Sequence, residues 1–89
     1  MNDFIIELVV ANRCGVLNRI TGVYAKRKHN IDRLTVCKGD APGLAVMQIA
    51  SRGDDDAQRQ QERQLRKLLD VKSVVLVDDF TLLHEGEEP

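Results

Sequence analysis

Asn12-Arg13-Cys14-Gly15-Val16-Leu17 and Asn30-Ile31 are the stretches of this 89-residue chain whose residue types suit ligand chemistry. The first joins an apolar run to a segment of helical periodicity. It therefore delivers the opening turn of a helix, where backbone N–H groups have no intrahelical acceptor. Such donors, together with the helix dipole, favour a carboxylate. Gly15 removes a side chain and lets a ligand approach the backbone. Asn12 and Asn30 each offer a donor and an acceptor, which suits an amino group as well as a carboxylate. The same residue types dominate ordinary turns and caps, and composition alone favours that plainer explanation.

No catalytic constellation accompanies these residues. His29 and His84 have no nucleophile or orienting acid nearby in sequence, so no catalytic residue is assigned. Asp54-Asp55-Asp56 carries charge enough for a metal ion, but acids at the start of a helix account for it. No metal site and no cofactor are expected. Cys14 and Cys37 form no C-x-x-C pair, which excludes a metallochaperone loop and suits two reduced thiols in a cytosolic protein. No basic leader precedes the first apolar run, and no stretch approaches the ~20 residues of a membrane span. A cytoplasmic location away from membranes follows as the expectation.

Charge narrows the partners. The net charge is −1, which argues against a polyanion binder. Seven basic residues and one acid lie between Arg13 and Lys38, whereas five acids and no Lys or Arg lie from Asp78 to the end. The contrast predicts a basic helix surface that includes Arg19, Lys26 and Lys28, and an acidic, loose tail dispensable for folding. An RNA-binding sheet would need aromatics on its middle strands. Phe4, Tyr24 and Phe80 are the only aromatics, and none falls there, so no nucleic acid is expected.

The elements that must position the two stretches follow from periodicity. Phe4 to Ala11 alternates as a strand, with Phe4, Ile6, Leu8 and Val10 on one face and Ile5, Glu7 and Val9 on the other. Val16 to Lys28 has helical spacing, with Val16, Leu17, Ile20, Val23 and Tyr24 as its apolar face and Asn30 suited to a left-handed cap. Ile31 to Cys37 and Leu44 to Ser51 read as strands joined by a Gly- and Pro-containing hairpin loop. Asp54 opens a second helix running to about Leu69, with Ala57, Gln61, Leu65, Leu68 and Leu69 as its inner stripe. Gln61 weakens that stripe and predicts poor packing of the first two turns. Val71 to Val77 is the last strand. The order βαββαβ implies an α+β, ferredoxin-like fold: a four-stranded antiparallel sheet with both helices on one face. Residues 1–78 form the domain and residues 79–89 the acidic tail.

Three segments carry a family resemblance. Asn12-Arg13-Cys14-Gly15-Val16-Leu17-Asn18-Arg19 is similar to the N-x-x-G-x-L-x-R turn of the ACT domain in acetolactate synthase (acetohydroxyacid synthase) small regulatory subunits. Arg27-Lys28-His29-Asn30-Ile31-Asp32-Arg33-Leu34-Thr35-Val36 resembles that family's R-x-x-N-I-x-S-L-T-V, and Gln64 to Val71 its Q-L-x-K-L-x-D-V. The resemblance implies a non-catalytic regulatory protein that partners the catalytic large subunit of a thiamine-diphosphate-dependent acetolactate synthase. It implies a homodimer or larger homo-oligomer whose sheets join side by side into eight strands. It places a branched-chain amino-acid effector, usually valine, between one copy's first helix and its partner, and it carries Asn12, Gly15, Val16, Leu17, Asn30 and Ile31 onto that site.

The chain departs from the family pattern at Cys14, where Ser or Pro is usual, at Arg33, where a small residue is usual, at Lys28, often Gly, and at Gln61, usually apolar. It also ends at Pro89, where longer members carry a second C-terminal domain. Both a short regulatory subunit and a free-standing ACT sensor or interaction module, with another ligand or none, agree with the residues.

Overall fold

A computed structural model describes residues 2–78. Six elements follow in order: β1 (Asn2–Ala11), α1 (Val16–Lys26), β2 (Arg33–Lys38), β3 (Leu44–Gly53), α2 (Asp55–Arg66) and β4 (Val71–Val77). The strands form one antiparallel sheet in the order β2-β3-β1-β4. The ferredoxin-like arrangement expected from the element order is therefore the fold. Contrary to expectation, Phe4 of β1 does lie on a middle strand, but its side chain is in the core, 9% exposed, and not on the open face of the sheet. The expected tail, residues 79–89, lies outside the described residues.

Alternation on the central strands builds the core. Ile6, Leu8 and Val10 of β1 lie opposite Ile49, Met47 and Ala45 of β3, all on the helix side and all buried. Val74 of β4 faces Leu8 and completes the layer. Val16, Ile20 and Tyr24, spaced i, i+4 and i+8 along α1, close over it. Leu17 was expected on that stripe but is 47% exposed, because the covered face is narrow and Leu17 sits beside it.

The carboxy end of α1 differs from expectation in a definable way. The helix stops at Lys26, with Arg27 as its cap. The Lys28 N–H donates to the Ala25 carbonyl (3.1 Å) and the His29 N–H to the Tyr24 carbonyl (2.9 Å), the paired bonds of a Schellman motif. The left-handed residue that this motif requires is Lys28, φ 59°, and not Asn30. The His29 ring meets the Tyr24 ring edge-on at 6.3 Å and supplies the apolar contact usual across such an ending.

The second helix corrects two expectations. Asp54 caps it, its carboxylate accepting from the Ala57 N–H at 2.8 Å, with Asp55 and Asp56 in the first turn. Its first turns pack closely: a Cβ on Gly53 would stand 2.7 Å from the Ala57 Cβ, and Gln61 is only 1% exposed. The helix ends at Arg66, three residues short of the periodic pattern. Leu68 still reaches the core, whereas Leu69 swings out to 92% exposure. β2 begins at Arg33, two residues later than its apolar pattern, although the Asp32 N–H already bonds the Ala50 carbonyl (2.8 Å).

Candidate functional site

The turn entering α1 is held from both flanks. The Ala11 N–H donates to the Asp70 carbonyl and the Asn12 N–H to the Gly43 carbonyl, each at 2.8 Å. Gly15 then takes φ 87°, a left-handed conformation that a side chain would strain. It occupies the helix cap position and supplies no side-chain acceptor there. The Val16 N–H turns back to the Arg13 carbonyl (3.3 Å) and the Arg19 N–H to Gly15 (3.0 Å). Among the described residues no acceptor meets the N–H of Leu17 or Asn18. Two helix-end donors thus remain available beside a position without a side chain.

A pair of arginines borders this opening. Arg19 Nε donates to Asp70 Oδ2 at 2.8 Å, and a second guanidinium nitrogen contacts the same oxygen. Arg13 Nε lies 3.4 Å from Asp70 Oδ1. Asp70 is 8% exposed, so the two guanidinium groups replace its solvation. A Cβ on Gly15 would come within 3.3 Å of the Arg19 guanidinium, which sets that side chain directly against the turn. Arg19 is therefore anchored to Asp70 while its side chain stays half exposed. The sequence signal was present in the two motifs that contain Arg19 and Asp70, but nothing in either motif says that they meet.

The six site residues fall into two groups. Asn12 is exposed, Gly15 half-buried and Leu17 47% exposed, all at the amino end of α1. Val16 is sealed in the core and offers only backbone to that end. Asn30 and Ile31 lie beyond the other end of the 11-residue helix, about 16 Å away at 1.5 Å per residue. Ile31 packs against the core, and the Asn30 carbonyl accepts from Ser51 Oγ at 2.6 Å. No group of three or more His, Cys, Asp or Glu side chains among the described residues is placed to hold a metal ion. No helix among them is long and apolar enough to cross a membrane.

A family model described as the AHAS small subunit-like ACT domain matches residues 6–73. The chain belongs to this family. The ACT domain is 43% identical over 70 residues to the probable acetolactate synthase small subunit of Methanothermobacter thermautotrophicus, covering 79% of this chain and 42% of that protein. It is 40% identical over 70 residues to the acetolactate synthase isozyme 3 small subunit of Escherichia coli, covering 79% and 43% respectively. The crystal structure of the acetolactate synthase small subunit from Thermotoga maritima superimposes with a TM-score of 0.83 at 30% identity, over 92% of this chain and 51% of that one. The chain thus spans about half the length of the proteins it matches, or slightly less.

Within the ACT domain, Lys28 now has a structural meaning. It stands where the resemblance puts Gly in many members, and it is the one non-glycine residue with positive φ among those described.

Proposed function

We propose that this ACT domain is an amino-acid-responsive regulatory module of acetolactate synthase. It binds a branched-chain amino acid, valine in the first place, and conveys that occupancy to a catalytic large subunit that depends on thiamine diphosphate. The observation that carries the reading is the open amino end of α1, where the Leu17 and Asn18 N–H groups lack acceptors beside left-handed Gly15. The ligand carboxylate takes those donors. The side chains of Asn12 and Asn30 take its amino group, and Leu17 and Ile31 line its apolar side chain.

The separation of the two residue groups supports a site made by two copies. One chain cannot bring Gly15 and Asn30 together across α1. A two-fold pairing of β2 with β2 runs the copies in opposite directions and sets the amino end of one α1 beside the other copy's connector. β2 is an edge strand, and Val36, on its helix side, is 51% exposed. Leu17 adds apolar surface from the helix layer.

A thermal scan of the full chain against the twenty amino acids tests this. A ligand restricted to the folded pair stabilises it by about 2.7 kcal/mol at a hundredfold excess over its dissociation constant. Valine, leucine or isoleucine raises the melting temperature and the others do not. Gly15→Asp abolishes the response by adding bulk and negative charge where the carboxylate sits. No shift at millimolar concentration with any amino acid refutes the assignment. Retention by the purified large subunit on a column of this chain tests the partner.

A further inference from the structure

The connector that carries Asn30 and Ile31 is held by three consecutive residues of β3. The Asp32 N–H donates to the Ala50 carbonyl (2.8 Å), Ser51 Oγ donates to the Asn30 carbonyl (2.6 Å), and Arg52 Nε meets Asp32 Oδ2 (3.1 Å). The first bond extends the sheet ladder, and the third is a surface ion pair. The middle one is different. Ser51 is on the helix side of the sheet, 1% exposed, and its hydroxyl has one proton to give. That proton goes to Asn30. The same oxygen accepts from Gln61 Nε2 of α2 at 3.2 Å. A one-directional relay therefore runs from α2, through β3, to the backbone of the connector.

Gln61 is an expensive residue at this position. It is 1% exposed, and its Oε1 is buried without a hydrogen-bond partner. An apolar side chain there would avoid that desolvation cost. Stability does not account for the glutamine, whereas its amide proton does something no apolar side chain does: it orients the Ser51 hydroxyl. With the Ser51 lone pair engaged by Gln61, the hydroxyl proton is directed at Asn30. We propose that Gln61 and Ser51 are positioning residues for the ligand site, holding the Asn30–Ile31 connector in its binding geometry from behind. The proposal deepens the effector assignment above and rests on it. It also links α2 physically to the site, since a shift of α2 along β3 alters the one side-chain bond that the connector receives from the core.

The test uses the full 89-residue chain and two readouts. Gln61→Leu keeps the volume and removes the amide. Ser51→Ala removes the hydroxyl, and Ser51→Thr keeps it as the rescue variant. Amide exchange reports the connector at Ile31 and Asp32, and the valine concentration that gives half the maximal thermal shift reports the site. Gln61→Leu and Ser51→Ala are expected to speed exchange at those two amides and to raise the valine midpoint about three- to tenfold, the scale of one lost hydrogen bond. Ser51→Thr is expected to match the parent. The Gln61→Leu melting temperature without ligand stays equal or rises, which a merely structural role for the amide would not give. Unchanged exchange and an unchanged midpoint in both Gln61→Leu and Ser51→Ala overturn the proposal. A parent chain that responds to no amino acid defeats the effector assignment and, with it, the positioning role. Exchange at Ile31 and Asp32 still decides separately whether the relay holds the connector.

Discussion

The two ends of α1 are built on opposite principles. At the amino end the backbone is left open, with donors unmet, a glycine in place of a capping side chain, and a carboxylate-bound pair of arginines close by. At the carboxy end the backbone is closed, with both Schellman bonds made and the following connector tied to β3 by backbone, hydroxyl and ion pair. An open end offers hydrogen bonds to something else. A closed end spends its own on geometry and can present side chains in fixed places. A ligand site shared between the two needs both properties, chemistry from one and position from the other.

The largest expected effect lies at Asp70, where the open end is fastened. Asp70→Asn removes the charge that gathers Arg13 and Arg19, while its backbone carbonyl still accepts from Ala11. Both arginines are at least half exposed and regain water, so the loss is smaller than for a fully buried pair, about 1–2 kcal/mol. For a domain of this size that lowers the melting temperature by roughly 5–10 °C. Arg19, released, also lies against the Gly15 turn, so the valine midpoint changes in the same variant. A variant that melts like the parent and binds like it would show that the clamp does not organise the open end.

These same two ends explain how far the sequence could be read. The strands and both helices were legible because alternation and helical spacing are strong on the apolar residues, as at Ile6, Leu8, Ile20 and Leu65. The turn at Gly15 was legible because its residue types are few. Hidden were features that depend on contacts distant in sequence. Arg19 and Asp70 lie 51 positions apart, and no local pattern joins them. Gln61 looked like a flaw in an apolar stripe because its partner, Ser51, belongs to another element. Leu69 continued a helical period past the point where the helix had ended. Lys28 was overlooked as the left-handed residue because Asn30 is the better residue type for it, and position overrode type.

A smaller effect probes the closed end at Tyr24. Its side chain is 1% exposed and its hydroxyl is buried without a partner. Burial pushes the phenol above the ordinary tyrosine range. Tyr24→Phe deletes an unsatisfied hydroxyl and is expected to stabilise the chain by about 1 kcal/mol in thermal or urea unfolding. The pH dependence has a definite sign. Above about pH 10 the unfolded chain loses the Tyr24 proton while the folded chain keeps it, so stability falls as pH rises. Tyr24 is the only tyrosine, so the phenylalanine variant loses that part of the alkaline slope. An equal slope in both proteins would mean that the hydroxyl is not held neutral in the fold.

The smallest effect is at Lys28, and it isolates backbone from side chain. Left-handed backbone crowds a Cβ against the following carbonyl, a cost of about 1–2 kcal/mol that glycine escapes. Glycine in turn has more freedom to lose on folding. The difference leaves Lys28→Gly more stable by about 0.5–1 kcal/mol, a rise of roughly 3–6 °C in melting temperature. The substitution also removes one of three consecutive bases, Lys26-Arg27-Lys28, and relief of that repulsion would imitate the backbone effect. Lys28→Ala separates the two, because it removes the charge but keeps the Cβ. The alanine variant is expected at or slightly below the parent, since it also gives up a favourable charge at the helix carboxy end. If alanine gains as much as glycine, strain at the closed end is not the cause, and the repulsion among the three bases is. The Schellman bonds are made by backbone atoms and survive both changes, so the valine midpoint is expected to stay where it is. A glycine variant that gains stability yet loses its response would mean that the Lys28 side chain, and not only the geometry it closes, belongs to the site.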